Sequence, residues 1–217
     1  MDAISWVGYI SLGVFHGINP GMGWLFAVAL GMQEKRRSAV IGALFPMALG
    51  HAVSIGVVVL IIALAQQQIP EKVLGTACAV VLFGFGLYKL FRARHPKWVG
   101  MRVNFKDLTI WSFLMASAHG AGLMLAPLLL RMPMASAHSG HTHHASATMT
   151  DSATLLLSAV GVHTLSFFVV TGIVAVVVYE VVGLALLRKA WFNLDMLWSI
   201  ALMIAGIVTA GMLYWGH

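Results

Sequence analysis

The sequence predicts an all-α integral membrane protein: one domain, residues 1–217, of six transmembrane helices arranged as a 3+3 inverted repeat. Hydrophobic residues make up 60% of the chain, charged residues only 9%, and the mean hydropathy is +0.90. A soluble domain is about half apolar and a quarter charged. Six apolar stretches are long enough for spanning helices, which need about 20 residues, and two histidine patterns recur in both halves.

The apolar stretches place the six helices at about 4–32, 39–65, 73–91, 108–130, 153–182 and 194–215. The first uncharged stretch, of about 31 residues, would span roughly 46 Å as one helix, against an apolar core of about 30 Å. It contains Asn19-Pro20-Gly21. Since proline removes a backbone donor and glycine tolerates unusual dihedrals, we predict a helix break at Pro20 and Gly21. Pro46 and Pro127 are interpreted as ordinary kinks.

The basic residues predict the orientation. Eleven of the thirteen Lys and Arg fall in or beside the loops between helices 1–2, 3–4 and 5–6, whereas the other side has only Lys72 and Arg131. The positive-inside rule makes these three loops cytoplasmic and leaves both termini outside. We expect a bacterial inner (plasma) membrane protein whose first helix is not a removable signal peptide, because no basic segment precedes it. The basic residues do not share one face, so no nucleic-acid partner is expected.

Two histidine patterns recur, each once in either half, about 1–92 and 106–217. His16-Gly17 and His119-Gly120 are each followed by small residues, a Met and a Pro, and His-x-x-Ser occurs at His51 and His163. Three helices per half is an odd number, so the second half enters the membrane from the opposite side. Transporters of this build place the substrate site near the midplane, between the repeats.

The four membrane histidines predict a metal site. Ionisable groups at membrane depth are costly and usually functional, and imidazole suits Ni, Co, Zn or Cu. The predicted substrate-binding residues are His16, Asn19, His51, His119 and His163, with Ser54, Ser166, Met22 and Met124 as supporting or soft ligands. Interhelical hydrogen bonding and haem ligation stay open as alternatives. Glu180 is either a proton or cation relay or a residue that reaches the interface.

The loop before helix 5, residues 133–152, is expected to be extracytoplasmic. It carries His138, His141, His143 and His144 without the spacing of a structural zinc site. We interpret it as an auxiliary, pH-sensitive metal-capture segment. The lone Cys78 is interpreted as core filler. Interfacial anchoring is the expectation for Trp111, Trp191, Trp198 and Trp215.

The repeat, the prolines in helices 1 and 4, the external histidines and the run His16-Gly17-Ile18-Asn19-Pro20-Gly21 carry a resemblance. The chain resembles the lysine-exporter superfamily of six-helix membrane transporters. Within it, the nearest groups are the nickel/cobalt (NicO-like) and urease-accessory-like transmembrane proteins. The resemblance implies a small transporter. The His-x4-Asp-His signature of nickel/cobalt transporters is absent. The superfamily also includes thiol-relay proteins of cytochrome c maturation, and the two membrane cysteines that they need are absent as well.

The predicted function is transport of a transition-metal ion (Ni, Co, Zn or Cu) by alternating access, without enzymatic activity. No nucleotide is expected, because the chain lacks a phosphate-binding loop motif. The alternatives are an exporter of an amino acid or other small organic solute, and a b-type haem membrane redox protein. An intramembrane metalloenzyme would need a carboxylate base, for which Glu180 is the candidate. Expected partners are membrane lipid and the metal ion, and a homo-oligomer or an accessory subunit is left open.

Overall fold

The computed structural model describes residues 3–91, 104–132, 149–182 and 187–215, and every element in these ranges is helical. The all-α prediction is therefore confirmed. The helices are α1 (Ala3–Ile18), α2 (Trp24–Glu34), α3 (Arg37–Gln68), α4 (Glu71–Phe91), α5 (Phe105–Ala118), α6 (Ala126–Leu129), α7 (Met149–Val177) and α8 (Leu187–Trp215). Short 3-10 turns occupy Pro20–Met22 and Leu123–Leu125, and α7 continues as the π-helical segment Val178–Val182.

The first apolar stretch is two short helices joined at the predicted break. α1 ends at Ile18, a 3-10 turn follows, and α2 begins at Trp24. Pro20 cannot donate a backbone hydrogen bond, and the backbone N–H of Gly21 donates to the Asn19 side chain at 2.9 Å. Gly23 adopts φ 131°, which side chains rarely allow. With 16 residues, α1 is about 24 Å long and too short to cross the apolar core alone.

The fourth apolar stretch is also broken, and the prediction of one helix with an ordinary kink at Pro127 is wrong. α5 ends at Ala118, and the segment Leu123–Leu129, which combines the second 3-10 turn with α6, is bent by 50° relative to α5. The break lies at residues 119–122, where Gly120 adopts φ 68°. Pro127 lies in the first turn of α6, a position that requires no backbone donor. Pro46, in contrast, lies within the continuous α3.

The structure is that of a membrane-embedded protein. Four helices are long and apolar enough to span a bilayer (Arg37–Gln68, Glu71–Phe91, Ser152–Val181 and Met196–Trp215), and the bent α5–α6 segment makes a fifth if it is one span. Their outer faces carry large apolar side chains that are more than half exposed, including Leu60, Val80, Leu165 and Ile207. Apolar exposure on this scale is unfavourable in water and suits lipid.

Helices of the first half pack mainly on helices of the second. α1 lies along α7, α3 along α5, and α4 along α8. Glycines permit the closest approaches: a Cβ on Gly13 would lie 2.4 Å from the carbonyl oxygen of His163, and one on Gly50 would lie 2.2 Å from that of Thr109. These crossings bring the histidines of the two halves to the centre of the bundle.

Candidate metal site

Three of the four predicted histidines meet in the interior. His16 on α1, His51 on α3 and His163 on α7 are each 0% exposed. Their ring centroids are 5.0 Å apart for His16 and His163, 5.5 Å for His16 and His51, and 5.6 Å for His51 and His163. We call these three residues the histidine cluster. Residues far apart in sequence thus form one buried polar group within an apolar bundle.

The fourth histidine, His119, adjoins the cluster through Trp198. Its ring centroid lies 5.6 Å from that of Trp198, which lies 4.7 Å from that of His16. His119 is the C-cap residue of α5 and is 1% exposed. A Cβ on Gly21 would lie 3.3 Å from His119 Nε2, so the ring borders the helix break of the first half. The structure therefore places all four membrane histidines in one region.

Backbone carbonyls fix the proton position on three of these rings. The Nδ1–H group of His16 donates to Leu12 O at 2.5 Å, and that of His119 donates to Met115 O at 2.8 Å. The Nδ1–H group of His163 donates to Tyr9 O at 3.2 Å. A carbonyl can only accept, so Nδ1 must carry the proton. In the neutral ring the lone pair then lies on Nε2, which is how proteins orient metal-binding histidines.

The closest nitrogens belong to two histidines of different halves. Nε2 of His51 and Nε2 of His163 are 3.4 Å apart. This separation fits a shared proton, and it also fits two nitrogens bound about 2.0–2.1 Å from one ion at an angle between trigonal and tetrahedral. Across the described ranges, no group of three or more His, Cys, Asp or Glu could hold a metal ion. In this conformation the cluster thus offers one nitrogen pair at ligand spacing.

Polar atoms around this pair lack partners. Among the described residues, His16 Nε2, His51 Nδ1 and the Tyr9 hydroxyl are buried and accept or donate no hydrogen bond. Native proteins satisfy most buried polar groups, and an unsatisfied one costs about 1–3 kcal/mol. Two imidazole nitrogens beside a close nitrogen pair are thus left without a hydrogen bond in the described part of the chain.

The remaining predicted residues have structural contacts of their own. Asn19 caps the 3-10 turn of the first break through its side-chain oxygen. Ser54 Oγ lies 2.9 Å from Ser117 Oγ, and the hydroxyl of Ser166 donates to Val162 O at 2.9 Å. The two predicted soft ligands are buried in the same apolar core as Trp198, namely Met22 and Met124.

Glu180 is exposed, whereas the four membrane histidines are buried. Its carboxylate lies 3.9 Å from Arg37 Nε, and the two side chains are 48% and 60% exposed. This exposed position favours the interfacial interpretation over a relay at membrane depth. The loop histidines, His138, His141, His143 and His144, lie outside the described residues.

Trp198 is the site residue that the sequence reasoning missed, because interfacial anchoring is wrong for it. Trp198 is 1% exposed, its indole N–H donates to His119 O at 2.5 Å, and its ring stacks on Phe15 at 4.9 Å. It lies only four residues into the predicted stretch 194–215, a position typical of an anchor. α8 begins earlier, at Leu187, so Trp198 is three turns inside the helix. Trp215, at the end of α8, is 85% exposed, as an anchor should be.

No family model, curated protein or solved structure matches this chain. The relation to the lysine-exporter superfamily therefore stays a prediction.

Proposed function

We propose that this protein transports a transition-metal ion across the membrane and that the histidine cluster binds the ion in transit. One observation carries the proposal: three helices from both halves bring buried imidazoles together, with His51 Nε2 and His163 Nε2 3.4 Å apart. Burying polar rings inside a membrane bundle is costly and is usually retained for function. The cluster supplies nitrogen donors, which transition metals prefer over the oxygen ligands of Mg²⁺ and Ca²⁺.

The packing supports a 3+3 inverted repeat with six crossings. The contact of α1 with α7 has its counterpart in that of α5 with α3, since the first helix of each half lies on the second helix of the other. Helix breaks follow His16 in one half and begin at His119 in the other. The first crossing would combine α1 and α2, and the fourth α5 and α6. The distribution of basic residues favours both termini outside a bacterial inner membrane.

Alternating access gives the cluster its role. A cargo site must bind and release, so its ligands should be only partly assembled in any one state. Here the His51–His163 pair is at ligand spacing, while the ring of His16 stands beside both at 5.0–5.5 Å. Because His51 and His163 belong to different halves, rocking of one half against the other would close and open this pair, and it would also move His16 relative to His163. The loop histidines would concentrate the ion on the outer side.

Metal binding by purified protein tests the proposal. The protein should carry Ala at the four loop histidines and no histidine tag, so that only the membrane site can bind. We expect one ion per chain by elemental analysis. A His51→Ala, His163→Ala double variant should lose at least about 100-fold in metal affinity, since removing a residue that only hydrogen-bonds a metal ligand already costs about 10–100-fold. Val53→Ala is the matched control, because Val53 lies on α3 near His51 and is 46% exposed.

Transport itself is read in vesicles. Proteoliposomes loaded with a metal-sensitive dye should show flux that the double histidine variant abolishes and Val53→Ala retains. Metal binding that survives the double variant would contradict the proposal. A Soret band in the purified protein would contradict it as well and would indicate haem. Flux of an amino acid without any metal flux would favour the solute exporter.

A further inference from the structure

The surroundings of the histidine cluster carry no compensating negative charge among the described side chains. The side chains that the structure describes include four carboxylates, and all are exposed near helix ends: Glu34, Glu71, Asp107 and Glu180. Glu34 pairs with Arg36, Glu180 with Arg37, and Asp107 caps α5. Among the described side chains, an ion held by the cluster would therefore meet neutral donors only.

The donors themselves are neutral. His16 and His163 each donate Nδ1–H to a backbone carbonyl, and His16 Nε2 has no hydrogen-bond partner among the described residues. Neutral ligands leave the full charge of a bound ion in a buried, low-dielectric site. The desolvation penalty rises with the square of the charge, so a divalent ion pays about four times the penalty of a monovalent ion of equal size.

The number of available ligands and the neighbouring aromatic rings also favour a monovalent ion. Across the described ranges, one nitrogen pair stands at ligand spacing and no group of three or more His, Cys, Asp or Glu could hold a metal ion. With His16 beside the pair, the cluster would supply three nitrogen donors, which is enough for monovalent copper, whereas tetrahedral zinc and octahedral nickel or cobalt need further donors. Phe15 and Trp198 stack at 4.9 Å beside His16, and aromatic faces attract cations without adding charge.

We propose that the transported ion is monovalent copper, Cu(I), and that the neutral histidine cluster excludes divalent transition metals by leaving their charge uncompensated. This inference rests on the proposed transport function. It commits to one class of cargo, the soft monovalent ion, for which imidazole and thioether are both accepted donors. Transport needs no change of oxidation state at the site.

The test compares ions on one protein. The full chain carries Ala at His138, His141, His143, His144 and Cys78, which removes the loop imidazoles and the one free thiol. Ag(I) serves as a redox-inert monovalent probe, Cu(I) is kept reduced with ascorbate, and Zn(II) and Co(II) are the divalent probes. Affinities are measured by competition with chelators of known strength. We expect one Ag(I) or Cu(I) per chain, bound at least about 100-fold more tightly than Zn(II) or Co(II).

Variants locate the binding. His51→Gln and His163→Gln should each weaken Ag(I) binding at least about 10-fold, and Val53→Ala should not change it. Asp195 precedes Trp198 by one turn of α8, and its side chain lies outside the described residues, so Asp195→Asn is the charge control. We expect the ratio of Ag(I) to Zn(II) affinity to be unchanged in Asp195→Asn.

The outcomes separate the two proposals. Zn(II) or Co(II) bound at the cluster within about tenfold of Ag(I) overturns the monovalent inference and leaves the transport proposal standing. A monovalent preference that emerges only in Asp195→Asn overturns it too, because Asp195 would then supply the compensating charge. If no ion binds, or binding ignores both histidine variants, both proposals fail. Should a histidine variant misfold, the ranking of ions on the parent chain still decides the inference.

Discussion

Gly50→Ala tests whether α3 and α5 hold the histidine region together. Gly50 precedes His51, and a Cβ there would lie 2.2 Å from the carbonyl oxygen of Thr109 and 2.9 Å from the amide nitrogen of Phe113. Ordinary contact begins near 3.4 Å. The clash is with backbone, which cannot rotate away. α5 must therefore withdraw by about 1 Å, an estimate within the backbone shifts that overpacking causes.

The expected cost can be worked from these contacts. Overpacking costs about 1–3 kcal/mol. Replacing a helical glycine by alanine returns about 0.5–1 kcal/mol. The hydroxyl of Ser112 donates to Met47 O at 2.7 Å across the same interface, and weakening that bond adds about 1 kcal/mol. We expect Gly50→Ala to lower the free energy of unfolding by about 2 kcal/mol and to weaken metal binding, since His51 shifts with its neighbour.

The assay is reversible unfolding in mixed detergent micelles, followed by tryptophan fluorescence. Gly42→Ala and Gly56→Ala are matched controls on the same helix, because a Cβ at either position meets nothing within 4 Å. These two should be neutral or stabilising by up to about 1 kcal/mol. Equal stability of Gly50→Ala and Gly56→Ala would refute the close contact of α3 with α5 and the site geometry that depends on it.

Three further substitutions have defined expectations. Trp198→Phe removes the indole N–H that donates to His119 O at 2.5 Å and should weaken metal binding about tenfold in a chelator competition, with unchanged helix content by circular dichroism. Asn19→Ala removes the cap of the first break and should destabilise the protein by about 1 kcal/mol, whereas Asn19→Ser, which keeps an uncharged acceptor oxygen, should cost less. Arg37→Gln breaks only an exposed pair with Glu180, so unfolding should change by less than about 0.5 kcal/mol; a larger loss would place that pair in a less exposed setting.

Properties that depend on composition and local sequence were predictable. Apolar length predicts the helices, and Asn19-Pro20-Gly21 predicts the first break because proline and glycine act locally. The second break was missed because it lies at residues 119–122, where Gly120 adopts φ 68°, whereas Pro127 lies in the first turn of α6. The buried position of Trp198 depends on where α8 begins, which hydropathy does not define. Pairing of His51 Nε2 with His163 Nε2 is tertiary and depends on the crossing of α3 and α7.

At both helix breaks a tryptophan side chain donates a hydrogen bond to a backbone carbonyl at the helix end. A helix that ends at membrane depth leaves carbonyl groups without partners, and no lipid can hydrogen-bond to them. At the first break the indole N–H of Trp24 donates to Ile18 O at 2.9 Å, and at the second that of Trp198 donates to His119 O. Tryptophan suits this task, because it adds a donor and large apolar area together.

The two tryptophans nevertheless differ in origin. Trp24 starts the helix that follows its own break, whereas Trp198 belongs to α8 and reaches across the bundle. Any movement of α8 relative to α5 therefore strains the carbonyl of His119, and the ring of Trp198 also touches His16. The third helix of the second half is thus mechanically connected to histidines of both halves. If the protein transports by the alternating access proposed above, α8 is the element through which rocking of the halves would change the ligand set.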